Sequence, residues 1–151
     1  MTAFDKVFEL AAVVSKVMHE ALADRGLTPA RAEVLFTLHQ GGGPMVQREL
    51  SEALCCTPRH VTALIDTLES QGWVARGPHP TDRRATLVTL TEKGTAAAAR
   101  MVTERQDAAQ SLFGGLPTTQ LAGFVAVADH VLQQFGNAPA AADAGSPGSG
   151  K

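Results

Sequence analysis

Three arginines stand where side chains could grip an anion. Arg59 lies two residues after Thr57, in the first turn of a stretch that reads as helix, and Arg83 and Arg84 follow Asp82 behind a proline-rich turn. A guanidinium presents a planar fork of donors that matches a phosphate or the paired acceptors of a guanine edge. Beside Arg59, His60 and the Thr62 hydroxyl can donate to the same kinds of acceptor. Thr57 caps the helix, and the N–H groups next to it suit a phosphate. In the Asp82-Arg83-Arg84 run, Asp82 is expected to hold Arg84 through a charge-assisted pair. Arg76 is expected to pair with Asp66 and to serve structure.

Other reactive side chains form no such constellation. Cys55 and Cys56 are the only cysteines, and neighbours in sequence cannot staple distant parts of a fold. Cys56 reads as a small hydrophobe plugging a turn, with Cys55 more exposed. The five histidines show no metal-ligand spacing, and no Ser-His-Asp, paired-carboxylate or phosphate-loop pattern stands out. The expectation is a chain without catalytic residues, metal or cofactor.

The elements that must position these residues follow from periodicity. Phe4 to Leu22 carries apolar residues at spacings of three and four and reads as a helix with a wide apolar stripe. Thr28-Pro29 and Thr57-Pro58 each combine an N-cap with proline at the first helical position. The first opens a helix ended by Gly41-Gly42-Gly43-Pro44. A short helix over about Val46 to Leu54 precedes the second, and Cys55-Cys56 is the turn between them. Val61, Leu64, Ile65 and Leu68 face inward, which turns Arg59, Thr62, Ala63 and Asp66 outward. Two short helices joined this way are a helix-turn-helix. Trp73–Arg76 and Ala85–Leu90 read as two strands, with Gly77 to Asp82 as the turn, so a β-hairpin wing follows directly. Thr91 caps a long helix to about Phe113, and a last helix runs from Thr118 to about Phe135. The expected fold is mainly α with a small β-hairpin wing: one domain over residues 1–135, its core at about 28–90 and its flanking helices at 4–24 and 91–135. Residues 136–151 are poor in large apolar side chains and are expected to be a disordered tail.

Composition bounds the partners. With 44% hydrophobic and 19% charged residues, the chain falls in the globular range. No apolar run approaches the roughly 18–20 residues of a membrane span, and Met1–Leu10 lacks a signal-peptide layout, so a cytoplasmic protein is expected. The formal net charge is −2, and six cations balance six anions between Gln47 and Gly94. Any basic footprint must therefore come from where the charges point.

The stretch from Gln47 to Gly94 resembles the MarR family of winged helix-turn-helix transcriptional regulators. The residues that carry the resemblance are Val61-Thr62-x-Leu64-Ile65-Asp66-x-Leu68-Glu69, then Gly72-Trp73-Val74-x-Arg76, Asp82-Arg83-Arg84 and Leu90-Thr91-Glu92-Lys93-Gly94. The resemblance implies double-stranded DNA as partner, read by Thr57, Arg59, His60 and Thr62 in the major groove and by Asp82, Arg83 and Arg84 in the wing. It implies a ligand-responsive repressor acting as a homodimer through its terminal helices on a pseudo-palindromic operator. It also implies a small aromatic or phenolic effector, for which Met18, His39 and Met101 are the candidate contacts. The chain departs from the family where Ala63 and Thr67 replace basic or amide side chains, which leaves fewer groups for base readout. Two rival readings remain: a winged-helix protein-interaction module without DNA binding, and a thiol redox switch at Cys55/Cys56.

Overall fold

The computed structural model describes residues 1–136; the expected tail otherwise lies outside them. Nine elements follow in the order α1 (Ala3–Ala23), α2 (Pro29–Gln40), β1 (Met45–Val46), α3 (Gln47–Ala53), α4 (Pro58–Ser70), β2 (Val74–Pro78), β3 (Thr86–Leu90), α5 (Glu92–Phe113) and α6 (Thr118–Gly136). The mainly helical architecture with a winged helix-turn-helix is as the sequence implies.

Local chemistry sets the boundaries. The Thr28 hydroxyl accepts from the Arg31 N–H, and the Thr57 hydroxyl accepts from the His60 N–H at 3.2 Å, each with proline opening the helix. Each cap satisfies one of the N–H groups a helix start leaves without a partner. Gly72, at φ 78°, ends α4 in the left-handed conformation that a side chain disfavours.

Two details of the wing differ from the sequence reading. The sheet has three strands, ordered β1-β3-β2, because Met45 and Val46 pair with Val88 and Leu87. Val46 thus belongs to a strand rather than to the short helix. In addition, β2 continues through Gly77 and Pro78, opposite Leu87 and Thr86. Proline fits there because β2 is an edge strand and Pro78 its last residue, so the missing N–H breaks no ladder.

The core joins α2, α3, α4 and the sheet. Leu35, Leu38, Leu50, Val61, Ile65, Leu68, Val74 and Val88 are buried. Each such Leu, Ile or Val contributes about 1.5–3 kcal/mol by leaving water. Trp73 and Ala98 close this core beside Gly94, whose Cα faces the Trp73 carbonyl.

Packing divides the chain into two compact units, with the boundary between Gln106 and Asp107 inside α5. The physical reason lies in the second unit, where α6 buries no residue and Phe124 stacks on Phe113 at 6.5 Å between centroids. In the first unit, α1 buries only Leu22 and leaves Phe4, Phe8 and Val17 more than half exposed.

Candidate nucleic-acid interface

The recognition helix is α4. Its inner face is fixed by Val61, Ile65 and Leu68, all fully buried, with Leu64 half-buried. This leaves Arg59, His60, Thr62, Ala63 and Asp66 exposed. Arg59 and His60 fall in the first helical turn, directly after the Thr57 cap. The preceding turn holds Cys55 exposed at φ 52° and Cys56 half-buried against the core, with the Cys56 thiol 3.3 Å from the Leu54 carbonyl.

Arg76 ties this helix to the wing. Its guanidinium meets Asp66 at 2.7 Å and Glu69 at 3.2 Å and donates to the Thr62 carbonyl, while its backbone N–H donates to Glu69 at 2.8 Å. The Gln47 side chain joins from α3, accepting from Arg76 Nε at 3.4 Å and donating to the Thr62 hydroxyl at 2.9 Å. The Arg76 side chain is only 22% exposed. Such a half-buried network holds geometry more firmly than the exposed ion pairs elsewhere on the surface. The expected Arg76–Asp66 pair is present. Gln47 was missed because its two partners lie 15 and 29 residues away in sequence.

The same network changes the reading of Thr62. Its hydroxyl donates to the Pro58 carbonyl at 2.9 Å while accepting from Gln47. The hydroxyl proton expected to reach a base or a phosphate is used inside the helix.

In the wing, Asp82 acts differently from the expectation. Its Oδ1 accepts from the Arg84 backbone N–H at 2.9 Å, and its backbone carbonyl accepts from Ala85. The Asp82–Arg84 interaction is therefore a turn-forming hydrogen bond and not a side-chain ion pair. A carboxylate two residues upstream reaches the backbone N–H with little chain ordering, whereas a guanidinium must fold back to meet it. Arg59, Arg83 and Arg84 are exposed and make no ion pair among the described residues. Asp82 and Arg84 line a cavity of about 590 Å³ with Arg48, Glu49, Pro58 and His79. That hollow joins the start of α3, the start of α4 and the wing loop.

Behind the wing, the Thr91 hydroxyl donates to the Gly72 carbonyl at 2.6 Å and accepts from the Gly94 N–H at 3.1 Å. Lys93 donates to the Gln71 carbonyl at 2.8 Å with its ammonium 4.1 Å from the Trp73 ring centroid. The Leu90-Thr91-x-x-Gly94 run is thus the joint between hairpin and α5. Of the candidate effector contacts, His39 lines a second cavity of about 310 Å³ with Leu38, Leu90 and Thr95. Met101 packs against the core and Met18 is 44% exposed; neither lines that cavity. Among the described residues no group of three or more His, Cys, Asp or Glu side chains could hold a metal, and no single helix is long and apolar enough to cross a membrane.

Comparison with known proteins agrees with this geometry. Residues 27–86 match the MarR family model. The chain is 26% identical over 119 residues to the HTH-type transcriptional regulator YwhA of Bacillus subtilis, covering 79% of this chain and 85% of YwhA. It is 33% identical over 93 residues to the transcriptional repressor MdtR of the same organism, covering 60% of this chain and 59% of MdtR, less than two thirds of that relative's length. Among solved structures, a mutant of Escherichia coli MarR complexed with operator DNA is 26% identical, with a TM-score of 0.67 over 87% of this chain and 99% of that one. These relatives are regulators and not enzymes. Residues 27–86 thus form a MarR-family domain, and over most of its length the chain is similar to winged helix-turn-helix transcriptional regulators.

Proposed function

We propose that this regulator is a sequence-specific repressor that binds double-stranded DNA as a homodimer on a pseudo-palindromic operator and is released by a small aromatic effector. The observation that carries the reading is the division of labour among the arginines. Arg76 is committed to holding α4 against β2. Arg59, Arg83 and Arg84 stay exposed and unpaired among the described residues, at the first turn of the helix and on the wing. Guanidinium groups that serve neither packing nor an ion pair are poorly explained by stability. They suit the base edges of a major groove and the negative potential of an adjacent minor groove.

The dimer accounts for apolar surface that one chain leaves in water. Phe4, Phe8 and Val17 on α1, and Phe124, Val125 and Leu132 on α6, are each 52–67% exposed. Burying them against a second copy would set two recognition helices about 34 Å apart, one turn of DNA. The hollow beside His39 is at the small end of ligand-sized cavities and is the candidate effector site. A cytoplasmic location follows from this role.

A salt titration on duplexes enriched from a random-sequence library, against scrambled controls, tests the proposal. Three arginines per subunit allow about six phosphate contacts in a dimer, so log K against log[salt] should fall with a slope near about −5. Arg84→Ala should weaken binding about tenfold with the melting temperature nearly unchanged. If the wild-type protein binds neither duplex at low salt, the DNA reading fails. The balanced charge of the Gln47–Gly94 segment would then point to a protein-interaction module.

A further inference from the structure

We infer that His79 is the positioning residue of the wing, and that the loop carrying Asp82, Arg83 and Arg84 takes its shape only around a neutral imidazole. The His79 Nδ1 accepts from the Asp82 N–H at 3.0 Å and from the Thr81 N–H at 3.2 Å, with the Thr81 hydroxyl at 3.4 Å. A backbone N–H can only donate, so Nδ1 is the unprotonated nitrogen and the ring proton sits on Nε2. The flanking residues, Pro78 and Pro80, have no N–H of their own. Of the three N–H groups between residues 78 and 82, the ring therefore takes two.

The contacts run in series. His79 fixes Asp82, Asp82 Oδ1 fixes the Arg84 N–H, and the Asp82 carbonyl fixes Ala85 at the return into β3. The direction in which Arg83 and Arg84 leave the loop is set by a side chain three residues before Asp82. Protonation of Nδ1 puts a donor against two donors, and both hydrogen bonds to the ring are lost. The charged groups that share its cavity are Arg48 and Glu49 from α3 and Asp82 and Arg84 from the loop. Asp82 is already engaged with the Arg84 N–H. The hollow thus holds two cations, Arg48 and Arg84, and two carboxylates, Glu49 and Asp82, beside the ring.

The loop assignment stands independently of DNA binding; its effect on affinity rests on the function proposed above. Nitrogen-15 spectra of the free protein test the assignment without any substitution. The ring should show protonated Nε2 and bare Nδ1 at about pH 8, and the Thr81 and Asp82 amides should titrate together with the ring. A protonated Nδ1 at high pH, or an Asp82 amide indifferent to the ring, overturns it. Two variants test the consequence on a duplex enriched from a random-sequence library. His79→Asn places Oδ1 where Nδ1 was, whereas His79→Gln carries its acceptor one bond too far. At about pH 8 the Asn variant should bind like wild type and the Gln variant about tenfold more weakly, the effect of one net hydrogen bond. Between about pH 8 and pH 5 the wild type should lose more affinity than His79→Asn, whose amide gains no proton. Equal binding by all three proteins at both pH values overturns the positioning role. Coupled titration of ring and amides in a protein that binds no duplex would leave the loop assignment standing and refute the DNA reading instead.

Discussion

Replacing Gly94 with alanine sets two effects of known sign against each other. Gly94 lies in the first turn of α5, where alanine is the better helix former by about 1 kcal/mol. Intrinsic propensity alone therefore predicts a more stable protein. A methyl group at this position, however, would stand 2.0 Å from the Trp73 carbonyl oxygen, 3.1 Å from its carbon and 3.2 Å from Leu90 Cδ2. Side-chain carbons essentially never come within 3.0 Å of such an atom, so α5 or β2 must move by about 1 Å. The oxygen cannot step aside alone, since it accepts from the Thr91 N–H at 3.1 Å. Overpacking against fixed backbone costs about 1–3 kcal/mol or more, which exceeds the propensity gain. The net loss should reach about 1–2 kcal/mol, which lowers the melting temperature by about 3–10 °C for a domain of this size. Gly123→Ala in α6 is the control, because nothing lies within 4 Å of its added methyl and only the propensity gain remains. Thermal melting of both variants followed by circular dichroism decides the matter. A Gly94→Ala protein as stable as wild type would refute the close approach at this joint.

Arg76→Met should destabilise the protein by about 1 kcal/mol or less in urea titrations: it removes the ion pairs to Asp66 and Glu69, whose carboxylates still reach water, while the backbone N–H of residue 76 still donates to Glu69. The Glu104 carboxyl is held below its ordinary value of 4.5 by the hydrogen bond from Arg25. A depressed carboxylate contributes stability above its unfolded value and loses it as pH falls through the folded one. Wild type and Glu104→Gln should therefore differ slightly at neutral pH and converge in melts as the pH falls through the depressed folded value, the effect staying small because the carboxylate is exposed. Phe124→Glu should lower the particle mass measured by light scattering if the exposed α6 face meets a second copy; an unchanged, equally stable particle would move the interface elsewhere.

What was legible in the sequence was local. Thr57-Pro58 announces a helix start because cap and proline act within one turn, and the 3.6-residue stripe of Val61, Ile65 and Leu68 then fixes which side faces out. Cys56 plugs its turn as a small apolar residue would. What escaped depends on partners far along the chain. Met45–Val46 is a strand only because Leu87 and Val88 lie beside it. Gln47 is a brace only because Thr62 and Arg76 converge on it. The adjacent charges of Asp82 and Arg84 suggested an ion pair, and short-range backbone geometry won instead. His79 carried no signal by type or spacing; its role comes from two N–H groups that the neighbouring prolines leave in need of an acceptor.

The Arg76 network has a consequence for how such a regulator can change over generations. Holding is confined to one set of side chains: Asp66, Glu69, Arg76 and Gln47 keep α3, α4 and β2 in register, while Arg59, His60 and Ala63 stay exposed outside that network. Substitutions at the second set leave the helix seated and alter only what it presents. A gene copy could drift toward new targets through a few exposed positions, each step yielding a folded protein. The bracing set has less freedom, since its members share contacts and a change in one alters the setting of the others. Novelty should therefore accumulate on the outer face of α4, and a change in the brace should more often come in pairs.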